Sequence, residues 1–315
     1  MRKILVLGTG GTISCVKREY GLEPALSASE LVKNVSVPYE VHTEQLFELD
    51  STNMTPRHWE RLARRIRERY DDFDGFVITH GTDTMAYAAA ALSCLIQNPR
   101  KPIVLTGSMK PMTDENSDAL QNLRDALNFA ADERAFGVRV VFAGSVFYPN
   151  DVRKADSNSE LAFCCGGYEN GFVLSLWQAQ ERFERYNGET RFYERLSDDV
   201  FYVKLIPGQR LYVPESAKAV ILESYGAGGV PDYLLGDVIG LCKRGVYVII
   251  ATQCVFGGTD LSEYEVGQYA AKVCPLLETG KETVEYAVAR ARWALAYSNG
   301  YDEFKKLFTE EVDGL

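Results

Sequence analysis

A glycine-rich turn carrying two hydroxyls, Gly8-Thr9-Gly10-Gly11-Thr12, follows the apolar residues Leu5-Val6-Leu7 near the start of the chain. Glycines after a short apolar run can cradle phosphate, but that chemistry needs more than glycines. A dinucleotide loop requires Gly-x-Gly-x-x-Gly with a helix straight after it, whose N-terminus receives the pyrophosphate. Here Gly8 and Gly10 fit, the third position is Ile13, and residues 14–24 (SCVKREYGLEP) have no apolar stripe and read as a loop. No Gly-Lys-Ser/Thr follows, so a P-loop is also excluded. The threonines remain. Glycines at the carboxyl end of a parallel strand bring backbone N–H groups close to a small molecule and leave Thr9 or Thr12 facing the crevice. A threonine hydroxyl is a covalent nucleophile when a neighbouring base activates it. Standing alone, the turn would more simply hold Thr9 in a local hydrogen bond.

A second polar turn, His80-Gly81-Thr82-Asp83-Thr84, closes the apolar run of residues 75–79 and opens an alanine-rich segment. A helix starting near Asp83 points its backbone donors and positive dipole end into the same crevice. Asp83 alone is more often an N-cap than a catalytic group. Paired with Thr82 and with a second threonine-bearing glycine turn, it points to a site. His80 beside hydroxyls invites a Ser-His-Asp reading, but no Gly-x-Ser-x-Gly elbow accompanies it, and we assign it a structural hydrogen bond.

Residues 9–13 (TGGTI) and 80–84 (HGTDT) resemble, without substitution, the two signature segments of the bacterial-type L-asparaginases. The resemblance continues through residues 50–54 (DSTNM), 106–111 (TGSMKP), 150–157 (NDVRKADS) and 252–254 (TQC), and so spans most of the chain. It implies hydrolysis of L-asparagine to L-aspartate and ammonia through an acyl-enzyme, with no cofactor and no metal. It makes Thr9 the nucleophile, with Tyr20 on a mobile lid formed by the 14–24 loop. Thr82, Asp83 and Lys154 form a second catalytic set. A free lysine, with a pKa near ~10.4, is a poor base at neutral pH, and burial beside polar groups is what would let Lys154 accept a proton through Thr82. Taken without the motif, Lys154 reads as a surface lysine. Asp83 would also pair with the substrate's α-ammonium group, Thr82 would contact the substrate, and Ser51 and Thr52 would hold its α-carboxylate. Oxyanion donors are expected from backbone N–H groups around the glycine turn and Thr82.

The DST segment and TQC look like the cytoplasmic type I branch, whose members form homodimers or homotetramers and some of which carry an allosteric asparagine site near the domain junction. One departure is Gly229, in YGAGGVP, where an asparagine is common in a turn that reaches the neighbouring subunit's active site. Two alternatives come from other classes. The chain could be the ammonia-releasing subunit of a tRNA-dependent amidotransferase, although those chains usually carry an extra N-terminal module and the first strand here begins at Lys3. It could be a non-catalytic amino-acid sensor, against which every side chain the resemblance calls catalytic is present.

The elements that must position these groups read as an α/β fold, with apolar runs alternating with helix-period segments. Strands are expected at residues 3–8, 75–79, 102–106 and 138–142. Helices are expected from the Thr55-Pro56 start, where Trp59, Leu62 and Ile66 recur at helical spacing, and at 83–97 and 117–130. These make a larger N-terminal, doubly wound, mainly parallel catalytic domain over 1–178. The polar, aromatic stretch 179–200 reads as a connector, and 201–315 as a smaller C-terminal α/β domain, with strands in FYVKLIP, KAVILESYG and GVYVIIAT and a helix over 282–298. At 315 residues, 46% hydrophobic and 25% charged, the chain can bury such cores. Its formal charge of −10 disfavours nucleic acid or an anionic membrane as partner. No apolar run approaches the roughly 20 residues that span a bilayer. The strand that starts almost at Met1 leaves no room for a signal peptide. Seven cysteines without a CxxC pair and three histidines argue against both a disulfide framework and a zinc site, so a reduced, cytoplasmic setting is expected.

Overall fold

The computed structural model describes residues 1–33, 35–165, 174–175, 188–262, 272 and 274–310. Among the described residues it divides into two compact units, one built from Met1–Cys165 with 174–175 and 188–194, the other beginning at Arg195.

The first unit is organised by a seven-stranded sheet. Its parallel strands are β1 (Lys3–Gly10), β4 (Glu40–Leu49), β5 (Gly75–Thr79), β7 (Pro102–Thr106) and β8 (Gly137–Phe142), in the order 4-1-5-7-8. Two short strands, β9 (Ser145–Phe147) and β12 (Leu174–Ser175), continue the sheet antiparallel beyond β8. The four expected strands are β1, β5, β7 and β8. Strand β4 was not expected, because it lies at the sheet edge and its sequence EVHTEQLFEL has no continuous apolar run. Strands buried on both faces read as unbroken apolar segments, whereas an edge strand does not.

Helices α1 (Ala28–Val32), α2 (Pro56–Arg69), α3 (Met85–Leu95) and α4 (Ala119–Ala131) cover the sheet. Leu123, Ala126, Leu127 and Ala130 of α4, with Leu31 of α1, share one buried cluster with Ile4, Val6, Val77 and Val104. The alternating strand residues Leu5, Leu7, Phe76 and Ile78 are buried too. Helix α2 packs on α3, which meets β7 and β8. Helix α2 starts at Pro56, with the Thr55 N–H donating to His58 Nδ1 at 3.0 Å. Helix α3 starts two residues later than expected, because a single 3-10 turn over Thr82–Thr84 precedes it.

Two expectations change. The segment after the glycine turn is an antiparallel hairpin of β2 (Cys15–Arg18) and β3 (Gly21–Pro24), paired from Cys15 opposite Pro24 to Arg18 opposite Gly21. Its alternation is masked because most of both strands faces solvent. The 179–200 connector also does not stand as one piece. Residues 179–187 lie outside the described residues, while β13 (Arg191–Phe192) pairs with β6 (Ile96–Gln97) in the first unit, and the second unit begins at Arg195.

The second unit is a parallel four-stranded sheet whose strands run Val200–Lys204, Ala219–Ser224, Tyr247–Thr252 and Leu276–Glu278 in sequence order. Val220, Leu222, Val248 and Ile250 pack against Leu234, Val238 and Leu241 of the helix Asp232–Lys243. The helices Val284–Tyr297 and Tyr301–Thr309 complete it. The expected long helix is thus present, two residues shorter at its start. Among the described residues, no helix is long and apolar enough to cross a membrane.

Candidate active site

The polar residues gather at the carboxyl edge of the first unit's sheet, where parallel α/β sheets bind small molecules. Strand β1 ends in Thr9 and Gly10. Gly8 is registered opposite Thr79 of β5 and opposite Gln45 of β4, but Gly10 faces Leu49, so Thr9 lies at a slip in the β1–β4 ladder. Such irregularities re-aim a side chain at the end of a strand. The Thr9 hydroxyl is buried and donates to the Thr79 carbonyl at 2.8 Å.

Three turns then meet backbone to backbone. Gly11 has φ +79°, and a Cβ on it would lie 2.2 Å from the Gly81 nitrogen; its own N–H donates to the Leu49 carbonyl at 2.9 Å. A Cβ on Gly81 would lie 2.5 Å from Ser51 Oγ. Only glycine allows this approach at these two positions. The turns carrying Thr9, Ser51 and Thr82 are therefore in contact, although they are far apart in the chain.

The Asp50 carboxylate accepts from both the N–H and the hydroxyl of Thr52 at 2.9 Å, which fixes the Ser51–Asn53 turn. Ser51 is buried and Thr52 exposed. A fourth turn, after β7, is held by helix α4. Asp118 accepts from the Met109 and Lys110 N–H groups, and Asn122 Nδ2 donates to the Gly107 carbonyl at 3.0 Å. Reading the sequence missed Asp118 and Asn122 as supports. The available signal was an Asp and an Asn four residues apart, flanking a stretch that otherwise reads as core.

Lys154 ends the short strand β10 (Val152–Lys154), which pairs antiparallel with β11 (Phe163–Cys165). Its Nζ donates to Thr82 Oγ1 at 2.8 Å and to Asp83 Oδ1 at 2.6 Å. Thr82 is buried and the Lys154 side chain only 17% exposed, whereas the Asp83 side chain is 53% exposed and open to the crevice. Beyond Lys154, Asp156 accepts from the Asn158 and Ser159 N–H groups, which hold its carboxyl below the ordinary range. His80 is fully buried; its Nδ1 donates to the Gly81 carbonyl at 2.7 Å in the neutral tautomer this bond requires. Burial pushes its pKa down to about 4, against a smaller opposing effect from the Gly81 hydrogen bond, so the ring is neutral at physiological pH.

The arrangement thus brings Thr82, Asp83 and Lys154 into direct contact and sets the Thr9 and Ser51 turns against them. Tyr20 is elsewhere: it occupies the turn of the β2–β3 hairpin with 96% of its surface exposed. In the second unit, Thr252 Oγ1 donates to the Gly226 carbonyl and accepts from Cys254 N–H, and Gly229 faces open space, its carbonyl accepting from Ser224 Oγ.

Residues 3–175 match the family model of the asparaginase N-terminal domain, and 204–308 that of the glutaminase/asparaginase C-terminal domain. The chain belongs to the asparaginase family. It is 37% identical to an L-asparaginase of Thermococcus kodakarensis, with 99% of this chain and 98% of that protein aligned. A solved L-asparaginase structure from the same species superimposes with a TM-score of 0.88 at 35% identity, covering 99% and 98% of the two chains. L-asparaginase 1 of Escherichia coli K12 is 29% identical over 99% of this chain and 97% of its own. The family extends to a glutamyl-tRNA(Gln) amidotransferase subunit of Pyrococcus abyssi, 30% identical over 99% of this chain and 76% of that one. As a member of the asparaginase family the protein is an enzyme with two domains, the larger built on the mainly parallel sheet that carries the candidate site.

Proposed function

We propose that the protein hydrolyses the side-chain amide of L-asparagine to L-aspartate and ammonia, through an ester formed on Thr9. The observation that carries this reading is the contact of Lys154 Nζ with both Thr82 Oγ1 and Asp83 Oδ1, at the strand edge where the Thr9 turn packs. Amides resist attack, so a nucleophile, a proton route and oxyanion donors are all needed. In this reading the Thr9 oxygen attacks the carboxamide carbon and gives up its proton. That proton travels by way of Thr82 and Lys154 to the departing nitrogen, which leaves as ammonia. Water then attacks the ester and returns the hydrogen to Thr9.

The resting hydrogen bond from Thr9 to a carbonyl bears on this sequence of events. A carbonyl oxygen cannot take the hydroxyl proton, so Thr9 must exchange that acceptor for a basic one before it attacks. We assign this exchange to closure of the β2–β3 hairpin, which carries Tyr20 over the turn and excludes water. Ser51 and Thr52 hold the α-carboxylate, and Asp83, with Thr82, meets the α-ammonium end. The same reading takes the enzyme as cytoplasmic and as a homodimer or homotetramer, an assembly whose mass light scattering checks.

An ammonia-release assay with L-asparagine and L-glutamine, without any partner protein or tRNA, tests the proposal. Turnover of asparagine supports it. Binding without turnover would indicate an amino-acid sensor, and release only in the presence of a tRNA-dependent partner an amidotransferase subunit.

A further inference from the structure

Thr84 sits where a threonine ordinarily caps a helix. It is the residue before Met85, the first of α3, with φ −120° and ψ 15°. At such a position a hydroxyl oxygen normally accepts from an amide of the first turn, an interaction worth about 1 kcal/mol. Thr84 makes no capping bond. Its half-buried hydroxyl instead donates across to the Ser51 carbonyl at 2.8 Å. That bond joins two arms of the site from different strands: Ser51 and Thr52 after β4, and Thr82 and Asp83 after β5. Among the described residues the two arms otherwise meet by the close packing of Gly81 on Ser51, so the Thr84 hydroxyl is a side-chain clasp between them.

We propose that Thr84 is a positioning residue that fixes the spacing between Ser51–Thr52 and Thr82–Asp83, and so sets how well the site holds both ends of an amino-acid substrate at once. The proposal rests on the asparagine reading above. Its consequence is specific. An α-carboxylate held by one arm and an α-ammonium held by the other are gripped together only when the arms keep their separation. The contacts of Lys154 on β10 with Thr82 and Asp83 involve neither Ser51 nor the Thr84 hydroxyl. Loss of the clasp therefore weakens binding more than it slows chemistry.

The test compares Thr84→Val, which keeps the shape and removes the donor, with Thr84→Ser, which keeps the donor. Steady-state ammonia release with L-asparagine and calorimetric binding of L-aspartate are measured on the full chain, with thermal melts as a check on folding. For Thr84→Val, KM for asparagine and Kd for aspartate should each rise about tenfold while kcat changes by less than about threefold, the scale of one lost hydrogen bond. Thr84→Ser should stay within about twofold of the parent enzyme. Thr84→Ala replaces the valine variant if that one does not fold. Unchanged KM and Kd in Thr84→Val, a loss confined to kcat, or a serine variant as damaged as the valine one would each overturn the proposal. If the parent enzyme neither turns over asparagine nor binds aspartate, the asparagine reading itself fails and takes this inference with it, an outcome distinct from the other three.

Discussion

Thr9 and Lys154 make different demands on a substitution. Thr9 is buried and, among the described residues, its hydroxyl bonds to a main-chain carbonyl, so Thr9→Ala removes little packing. It should cut asparagine turnover at least about a thousandfold while leaving aspartate binding near normal. Near-normal turnover would move the nucleophile elsewhere, Thr82 first. Lys154→Met keeps the apolar stem and deletes the amine, leaving behind a half-exposed carboxylate on Asp83 that water can solvate. We expect a rate loss of about 10²- to 10⁴-fold with an unchanged melting temperature, and an unaltered rate would remove Lys154 from the proton route. At this scale the sequence was legible wherever a motif fixed the local turn: Thr82, Asp83 and Lys154 meet as their segments implied. Tyr20 was not legible in the same way. Its place depends on where a solvent-facing hairpin rests, and no buried pattern in residues 14–24 specifies that.

The elements that hold the site are rigid because the turns touch through their backbones. Gly11→Ala would put a methyl 2.2 Å from the Gly81 nitrogen and force φ +79° on an alanine. A left-handed alanine costs on the order of 1 kcal/mol and the overlap about 1–3 more, so the first unit should melt several degrees lower and lose most activity. A wild-type melt with full turnover would show that the turns can part freely. Glycine punctuation and the four apolar strands gave this layout away in the sequence. Strand β4 escaped because only one flank of it is paired, and with it the support for Ser51 went unread. The hairpin escaped for the reason that Tyr20 did: exposed strands carry little hydrophobic alternation. The connector was misjudged because a two-residue strand, Arg191–Phe192, returns to Gln97 and Ile96, a pairing too short for composition to mark.

At the scale of the molecule, pH acts on the two units with opposite sign. His80, in the first unit, has its pKa lowered by burial from 6.5 to about 4. The unfolded chain therefore binds a proton that the fold refuses, and the stability this contributes is whole above pH 6.5 and lost as pH falls toward 4, by on the order of 3 kcal/mol. Glu282, in the second unit, is raised by burial to about 7, with Arg290 at 2.7 Å opposing the shift. Its contribution is whole below pH 4.5 and declines as pH climbs through 7. Calorimetry from pH 7.5 to 5 should show the transition of the first unit moving down and that of the second moving up. His80→Gln should flatten the first, and parallel movement of both transitions would refute the assignment. Thr9, Ser51, Thr82 and Lys154 are also delivered by separate strand ends, none of which holds a working set by itself. Helices can form and the early sheet can pair while catalysis is still absent, since long-range strand pairing is slow. Regain of turnover during refolding is then a late clock: it should lag the return of helical circular dichroism and strike only when the last of these chain segments has docked.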